Sequence, residues 1–197
     1  TYENMLAAAE KIRTAGIMQN PVGGAYKAGW NLAQEFNNMF LGYGGSHFKD
    51  GSAQPNVNSE AGVNALNMMK ALSAYMNPDF LTYDSNAVQA EWEAGNVAMV
   101  NLWGSRAGAV TDGEGSTAAI EGNTIFASAP SVAGGSTAST TLWWDGFAIA
   151  TNASDADAEA TFQAMMKGIS PEVAAANADA ANWLIAGSKT RDTGVGV

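Results

Sequence analysis

Residues 91–106, EWEAGNVAMVNLWGSR, constrain the fold more than any other part of the chain. They place a helix end, a turn, a buried strand and a loop one after another with no spare residues. Ser85, with Asp84 before it, offers a helix start, and Val88 and Trp92 then fall one turn apart on one face. Gly95 stands where a helix commonly needs a left-handed residue to stop, and Asn96 completes the turn. The apolar run 97–102 is too short for an independent helix, carries β-branched residues and is bounded by Gly95 and Gly104, so it reads as a buried strand. Trp103, Gly104, Ser105 and Arg106 emerge at its carboxyl end, where open α/β sheets place their ligands. The same spacing also suits a core Trp103 and an ordinary surface Arg106, and it does not choose between the two.

The rest of the chain reads as helices around such a strand. Met5, Leu6, Ala9 and Ile12 make a helical stripe over residues 2–15 that Gly16 ends. A second pattern spans 26–40, with Tyr26, Trp30, Ala33 and Phe40 near one face as a core stripe, and with Pro21, Gly23 and Gly24 as the break before it. Residues 42–51 are turn-rich, and their glycines permit close approach to the backbone. Asn58 and Ser59 precede a long helix bearing Val63, Leu66, Met69, Leu72 and Met76, stopped at Asn77 and Pro78. Its methionines read as flexible core filler. Residues 108–123 read as a loop with one helical turn, 125–129 as a second short strand, and 131–140 as a small-residue linker. In LWWDGFAIA, residues 142–150, the latter half alternates like a strand. Ser154 caps a helix with Ala158, Phe162, Met165 and Met166 inward and Gly168 as its stop. Ser170 and Pro171 begin another.

Composition then excludes whole classes. At 197 residues, 47% of them hydrophobic, the chain can bury a core as one domain, and no apolar run approaches the ~20 residues of a membrane span. A net charge of -10 works against nucleic acid as a partner. The absence of cysteine removes disulfides, thiolate metal sites and cysteine nucleophiles together. Catalytic motifs fare poorly as well. Gly104, Ser105 and Gly108 have the wrong spacing for a nucleophile elbow, and the single histidine, His47, lies upstream. Gly113, Gly115 and Ala118 mimic a dinucleotide fingerprint, yet Asp112 and Glu114 would face the pyrophosphate. Asp155 and Asp157 lack the remaining ligands of a calcium loop and are explained by a helix N-terminus. No cofactor and no metal are expected.

What survives is tryptophan beside polar groups: Trp103 with Ser105 and Arg106, and Trp143 and Trp144 with Asp145. A pyranose has apolar C–H faces that lie on an indole and a hydroxyl rim that wants bidentate partners, so this is the chemistry of sugar binding. Each tryptophan also suits a core. The segments NSEAGVNALNMMKAL, AVQAEWEAGNVAMVNLWGS and APSVAGGSTASTTLWWDGFAIA, in that order, resemble the extracellular solute-binding proteins of carbohydrate ABC transporters, the group related to maltose-binding protein. The resemblance runs from Tyr2 to about Trp183.

That resemblance implies an α/β fold: one lobe of a periplasmic-binding-protein type II fold, with helices packed around a small mixed sheet. It implies a carboxyl-terminal-type lobe over residues 1–186 and an amino-terminal lobe outside this sequence; residues 187–197 carry no pattern of their own and read as a tail. The expected partners are a carbohydrate or polyol ligand and ABC transporter permease subunits, at the periplasmic or extracellular face of the membrane. By position, the resemblance points to Tyr43, Gly44, Trp103, Gly104, Ser105, Arg106, Trp143, Trp144, Asp145 and Gly146 as ligand-facing, with Trp183 a weaker candidate. Two other classes stay open from the residues alone: a carbohydrate-active enzyme, for which Asp145 and Glu91 are the carboxylate pair, and a docking or sensory module.

Overall fold

A computed structural model of the chain describes residues 1–111, 113–132, 134–141 and 146–177. In chain order its elements are α1 (Tyr2–Thr14), β1 (Val22–Gly23), α2 (Trp30–Gly42), α3 (Glu60–Ser73), a 3-10 turn (Phe80–Thr82), α4 (Ser85–Glu93), β2 (Met99–Val100), α5 (Ser105–Thr111), α6 (Ala118–Asn123), α7 (Asp155–Gly168) and α8 (Pro171–Ala176). Side chains that compete for backbone amides start most of these helices. Thr1, Ser59, Asp84, Thr117, Ser154 and Ser170 each accept a bond from an amide in the first turn they precede. The start of α4 thus uses Asp84 as its cap, with Ser85 the first helical residue. Gly95 ends that helix region with φ 71, in the left-handed region the sequence called for.

The strands are short and parallel: Val22 lies opposite Met99 and Gly23 opposite Val100. The predicted strand at 97–102 contracts to two residues because its partner is equally brief, with Pro21 unable to donate before it. β1 was read as a glycine break. Its glycine has a packing reason: a Cβ on Gly23 would lie 2.7 Å from Val100 Cγ1 and 3.3 Å from Val88 Cγ1, so α4 can approach the ladder only over a bare backbone.

The core lies between α1, α2, α3 and β1, where Tyr2, Val22, Met39, Phe40, Ala65, Met69, Leu72 and Met76 are all buried. Arg13 closes one side of it, donating from Nε to Gln19 O (2.8 Å) and from Nη2 to Ala74 O (2.6 Å), with its guanidinium 4.2 Å from the Tyr75 ring centroid. Residues 130–132 and 134–141 close the other side. The Tyr2 amide donates to Ser131 O (3.0 Å), the Ser139 amide to Pro130 O (2.8 Å), and Thr141 Oγ1 to Asn38 Oδ1 (3.3 Å). Ser139 is fully buried against the end of α2, where a Cβ on Gly42 would fall 1.8 Å from its Oγ.

Several expectations fail for identifiable reasons. The second helix starts at Trp30, not 26, because Gly29 turns the chain with φ 114; Tyr26 is buried in the preceding loop while Trp30 is 55% exposed. α3 ends at Ser73, before Met76, and leaves Val63 and Leu66 exposed. Where a loop with one turn was expected over 108–123, residues 108–111 complete α5 and residues 118–123 form α6. Residues 125–129 form no strand. Phe126 packs edge-on against Trp92, whose Nε1 donates to Thr124 Oγ1 (3.2 Å), and this docking turns Ile125 outward to 89% exposure. Residues 146–150 have no ladder partner among the described residues either, and Phe147 is 69% exposed. On α7, Phe162 and Met166 are exposed where an inward face was expected, since among the described residues that helix packs chiefly on α8. The tail 187–197 and Trp183 lie outside the described residues.

Candidate functional site

Parallel pairing forces the loops that follow β1 and β2 to leave from the same edge of the ladder. The first loop, 24–29, delivers Trp30 at the start of α2; the second, 101–104, delivers Trp103 just before α5. The two indoles meet with ring centroids 5.7 Å apart and planes tilted by 34°. Gly29 makes this possible, because its φ of 114 suits glycine and no side-chain atom lies within 4 Å of where its Cβ would be. Trp30 presents more than half of its surface to solvent, Trp103 is half-buried, and Gly104 beside it is exposed.

Arg106 faces the other way. Its Nη1 donates to Gln89 Oε1 (2.8 Å) and its Nη2 to Ser85 Oγ (3.2 Å), so the guanidinium pins the β2–α5 connection to α4. The Ser85 amide in turn donates to Asn31 Oδ1 (3.3 Å) on α2. Trp103, Gly104 and Ser105 therefore share one edge with Trp30. Tyr43 and Gly44 do not, for they follow the far end of α2, about 18 Å from Trp30 at 1.5 Å per residue. Gly146 is exposed, and Trp143, Trp144 and Asp145 lie outside the described residues. Glu91, the carboxylate considered for catalysis, accepts from Tyr83 Oη at 3.5 Å.

Residue-by-residue reading missed Trp30. The buried stripe of α2 steps back from Met39 through Glu35 to Asn31, and this four-residue spacing leaves Trp30 at the stripe's margin. Glu35 was missed as well. Its side chain is buried, and the Ala25 amide donates to its Oε1 at 3.3 Å. Burial pushes its carboxyl up to about 7, with the Ala25 bond opposing.

A concavity of about 290 Å³ away from the tryptophans includes Gln19, Asn20, Asn77, Tyr83, Glu91 and Asn96 in its wall. Asn20 and Asn96 precede the strands, and Val22, Gly23 and Gly24 carry the wall along β1; neither Trp30 nor Trp103 lines it. Open α/β folds take ligands outside the carboxyl ends of their strands, which favours the Trp30–Trp103 edge. Among the described residues, no group of three or more His, Cys, Asp or Glu could hold a metal ion, and no helix is long and apolar enough to cross a membrane.

Comparison with known proteins places this geometry in context. The fold is similar to the crystal structure of an ABC transporter solute-binding protein from Agrobacterium radiobacter K84 in complex with ribitol, with a TM-score of 0.75 at 20% sequence identity. The match covers 91% of this chain and 44% of that one, so the chain spans less than half the length of that protein. No curated protein matches the chain. The family described as bacterial extracellular solute-binding protein matches residues 1–175, nearly the whole of what the structure describes. The chain belongs to the bacterial extracellular solute-binding protein family.

Proposed function

We propose that the chain is one lobe, residues 1–186, of a two-lobed protein that binds a sugar or polyol between its lobes and hands it to an ABC transporter permease for import. The observation that carries this reading is the exposed Trp30–Trp103 pair at the carboxyl edge of the parallel strands. Indole faces match the C–H surfaces of a polyol, and the neighbouring backbone at Gly104 and Ser105 offers polar groups to its hydroxyls. In this reading Trp143, Trp144, Asp145 and Gly146 complete the ligand-facing set, and Tyr43 and Gly44, beyond the far end of α2, stand outside it. The ribitol in the related structure supports a polyol or sugar as the class of ligand. The protein works at the periplasmic or extracellular face, and it binds without turnover.

Calorimetry with ribitol and a panel of sugars tests this on the two-lobed protein. Trp30→Ala and Trp103→Ala should each weaken binding by about 1 to 3 kcal/mol, roughly 5- to 150-fold, with the fold kept. No binding across the panel, or binding indifferent to both substitutions, would overturn it. The 197-residue chain by itself should bind at least about 100-fold more weakly than the two-lobed protein, because half of the cleft wall is then water. Equal affinities would show that one lobe holds the whole site.

A further inference from the structure

We propose that Glu35 is the positioning residue of the tryptophan pair, acting through the Ala25 amide. The pair hangs on two loops, and the inner stripe of α2 reaches both of them. Asn31 holds the β2–α5 side, since it accepts the Ser85 amide and Ser85 Oγ accepts Arg106, three residues beyond Trp103. Glu35, one turn further along the helix, holds the β1–α2 side by accepting from Ala25, five residues before Trp30. Between Ala25 and Trp30 the chain passes through Gly29 at φ 114, so the turn has little intrinsic preference for one course and depends on its anchors: Glu35 at Ala25, and Lys27, whose amide donates to Tyr83 O (2.9 Å) and whose Nζ pairs with Asp84 (3.0 Å).

The surroundings of Glu35 sharpen its role. It lines a small space with Tyr2, Tyr26 and Asn101, and Asn101 stands two residues before Trp103. Asn101 Nδ2 donates to Tyr2 Oη at 3.4 Å, while Tyr26 Oη is buried with no hydrogen-bond partner among the described atoms. The titratable groups around the carboxyl are thus the two phenols, Tyr2 from α1 and Tyr26 from the loop; α3 contributes Leu72 and no charge, and no Lys, Arg or His lines the space. With no cation to hold it ionised, this carboxyl changes state within the ordinary working pH range. The charged form is the stronger acceptor for Ala25, because a bond to an ionised group is roughly twice as strong as a neutral one. Proton uptake therefore loosens the anchor of Trp30 without breaking it.

This rests on Trp30 and Trp103 forming one platform, but its test needs no ligand. Two indoles at this separation give an exciton couplet in circular dichroism, and the part lost in Trp30→Phe defines the signal. At pH 8, Glu35→Leu should lose the couplet while retaining its helices, and Glu35→Gln, which keeps a neutral acceptor, should retain roughly half of it. A folded Glu35→Leu protein with the full couplet would overturn the proposal. If Glu35→Leu does not fold, the wild-type titration decides. The couplet should fall toward the Gln level between pH 8 and 5 and stay flat in Glu35→Gln. A wild-type couplet that does not move, or a transition that survives in Glu35→Gln, would overturn it. A failure of sugar binding with the couplet behaving as described would count against the transport reading alone.

Discussion

Phe40→Ala should cost about 3 to 5 kcal/mol of folding stability, the usual range for emptying a fully buried aromatic site. Phe40 has no exposed surface. Its ring stacks on Phe36 at 5.4 Å and meets the edge of His47 at 5.3 Å. The space around it cannot close easily: a Cβ on Gly45 would sit 2.3 Å from the ring, so the turn after α2 is already wrapped against it, and α3 begins alongside at Gly62. Collapse of the cavity would have to pull that turn and the α2·α3 contact together. Domains of this kind have roughly 5 to 15 kcal/mol in total, so the loss takes a large share. Urea melts of Phe40→Ala and of Leu66→Ala would measure it. Leu66 is exposed on α3 and its truncation should stay within about 0.5 kcal/mol. A Phe40→Ala cost below that of Leu66→Ala would mean that the α2·α3 contact is not where the fold is held.

The second large effect is a pH dependence carried by one side chain. Glu35 holds its proton up to about 7 in the folded chain, against an ordinary value of 4.5, because burial disfavours its charge. Between those two values the folded state keeps a proton that the unfolded state has released, so stability is fully present below about 4.5 and is lost as pH rises through about 7. At 1.36 kcal/mol per unit, the shift corresponds to ~3 kcal/mol. Glu35→Gln removes the ionisation, and the difference in stability between wild type and variant should swing by that amount in favour of the variant between pH 4.5 and 8. Denaturant melts at a series of pH values would show it. A difference that does not change with pH would place the titration elsewhere.

The local punctuation of this fold was legible in the sequence. Ser59, Ser154 and Ser170 cap the helices assigned to them, and Gly16 and Gly95 sit in left-handed conformations at the ends read from their positions. These features depend on a few neighbouring residues, which is why one sequence suffices. β1 was illegible because a Val-Gly pair becomes a strand only when Met99 and Val100 arrive to pair with it. The edge bearing Trp103 could be placed from its position after an apolar run. Trp30 could not, since it reaches Trp103 only through the parallel register and a turn at Gly29. Glu35 looks in sequence like any helical acid; its meaning comes from burial, which is a property of the whole packing. Apolar spacing on α7 suggested an inward face, and the structure leaves Phe162 and Met166 exposed, because spacing alone does not say what covers a face.

That face has a consequence for how the chain responds to thermal agitation. None of the described residues from 146 to 177 is buried, whereas buried residues recur from Tyr2 through to Ser139. Among the described residues, opening α7 and α8 uncovers no buried side chain of their own, so their backbone amides should meet solvent through small, frequent excursions while those of α2 and α3 wait for global unfolding. The chain is accordingly a hierarchy of two clocks, a slow one set by the interior around Phe40 and a fast one set by helices 7 and 8. Whatever covers Phe162 and Met166 would bring the fast clock into step with the slow.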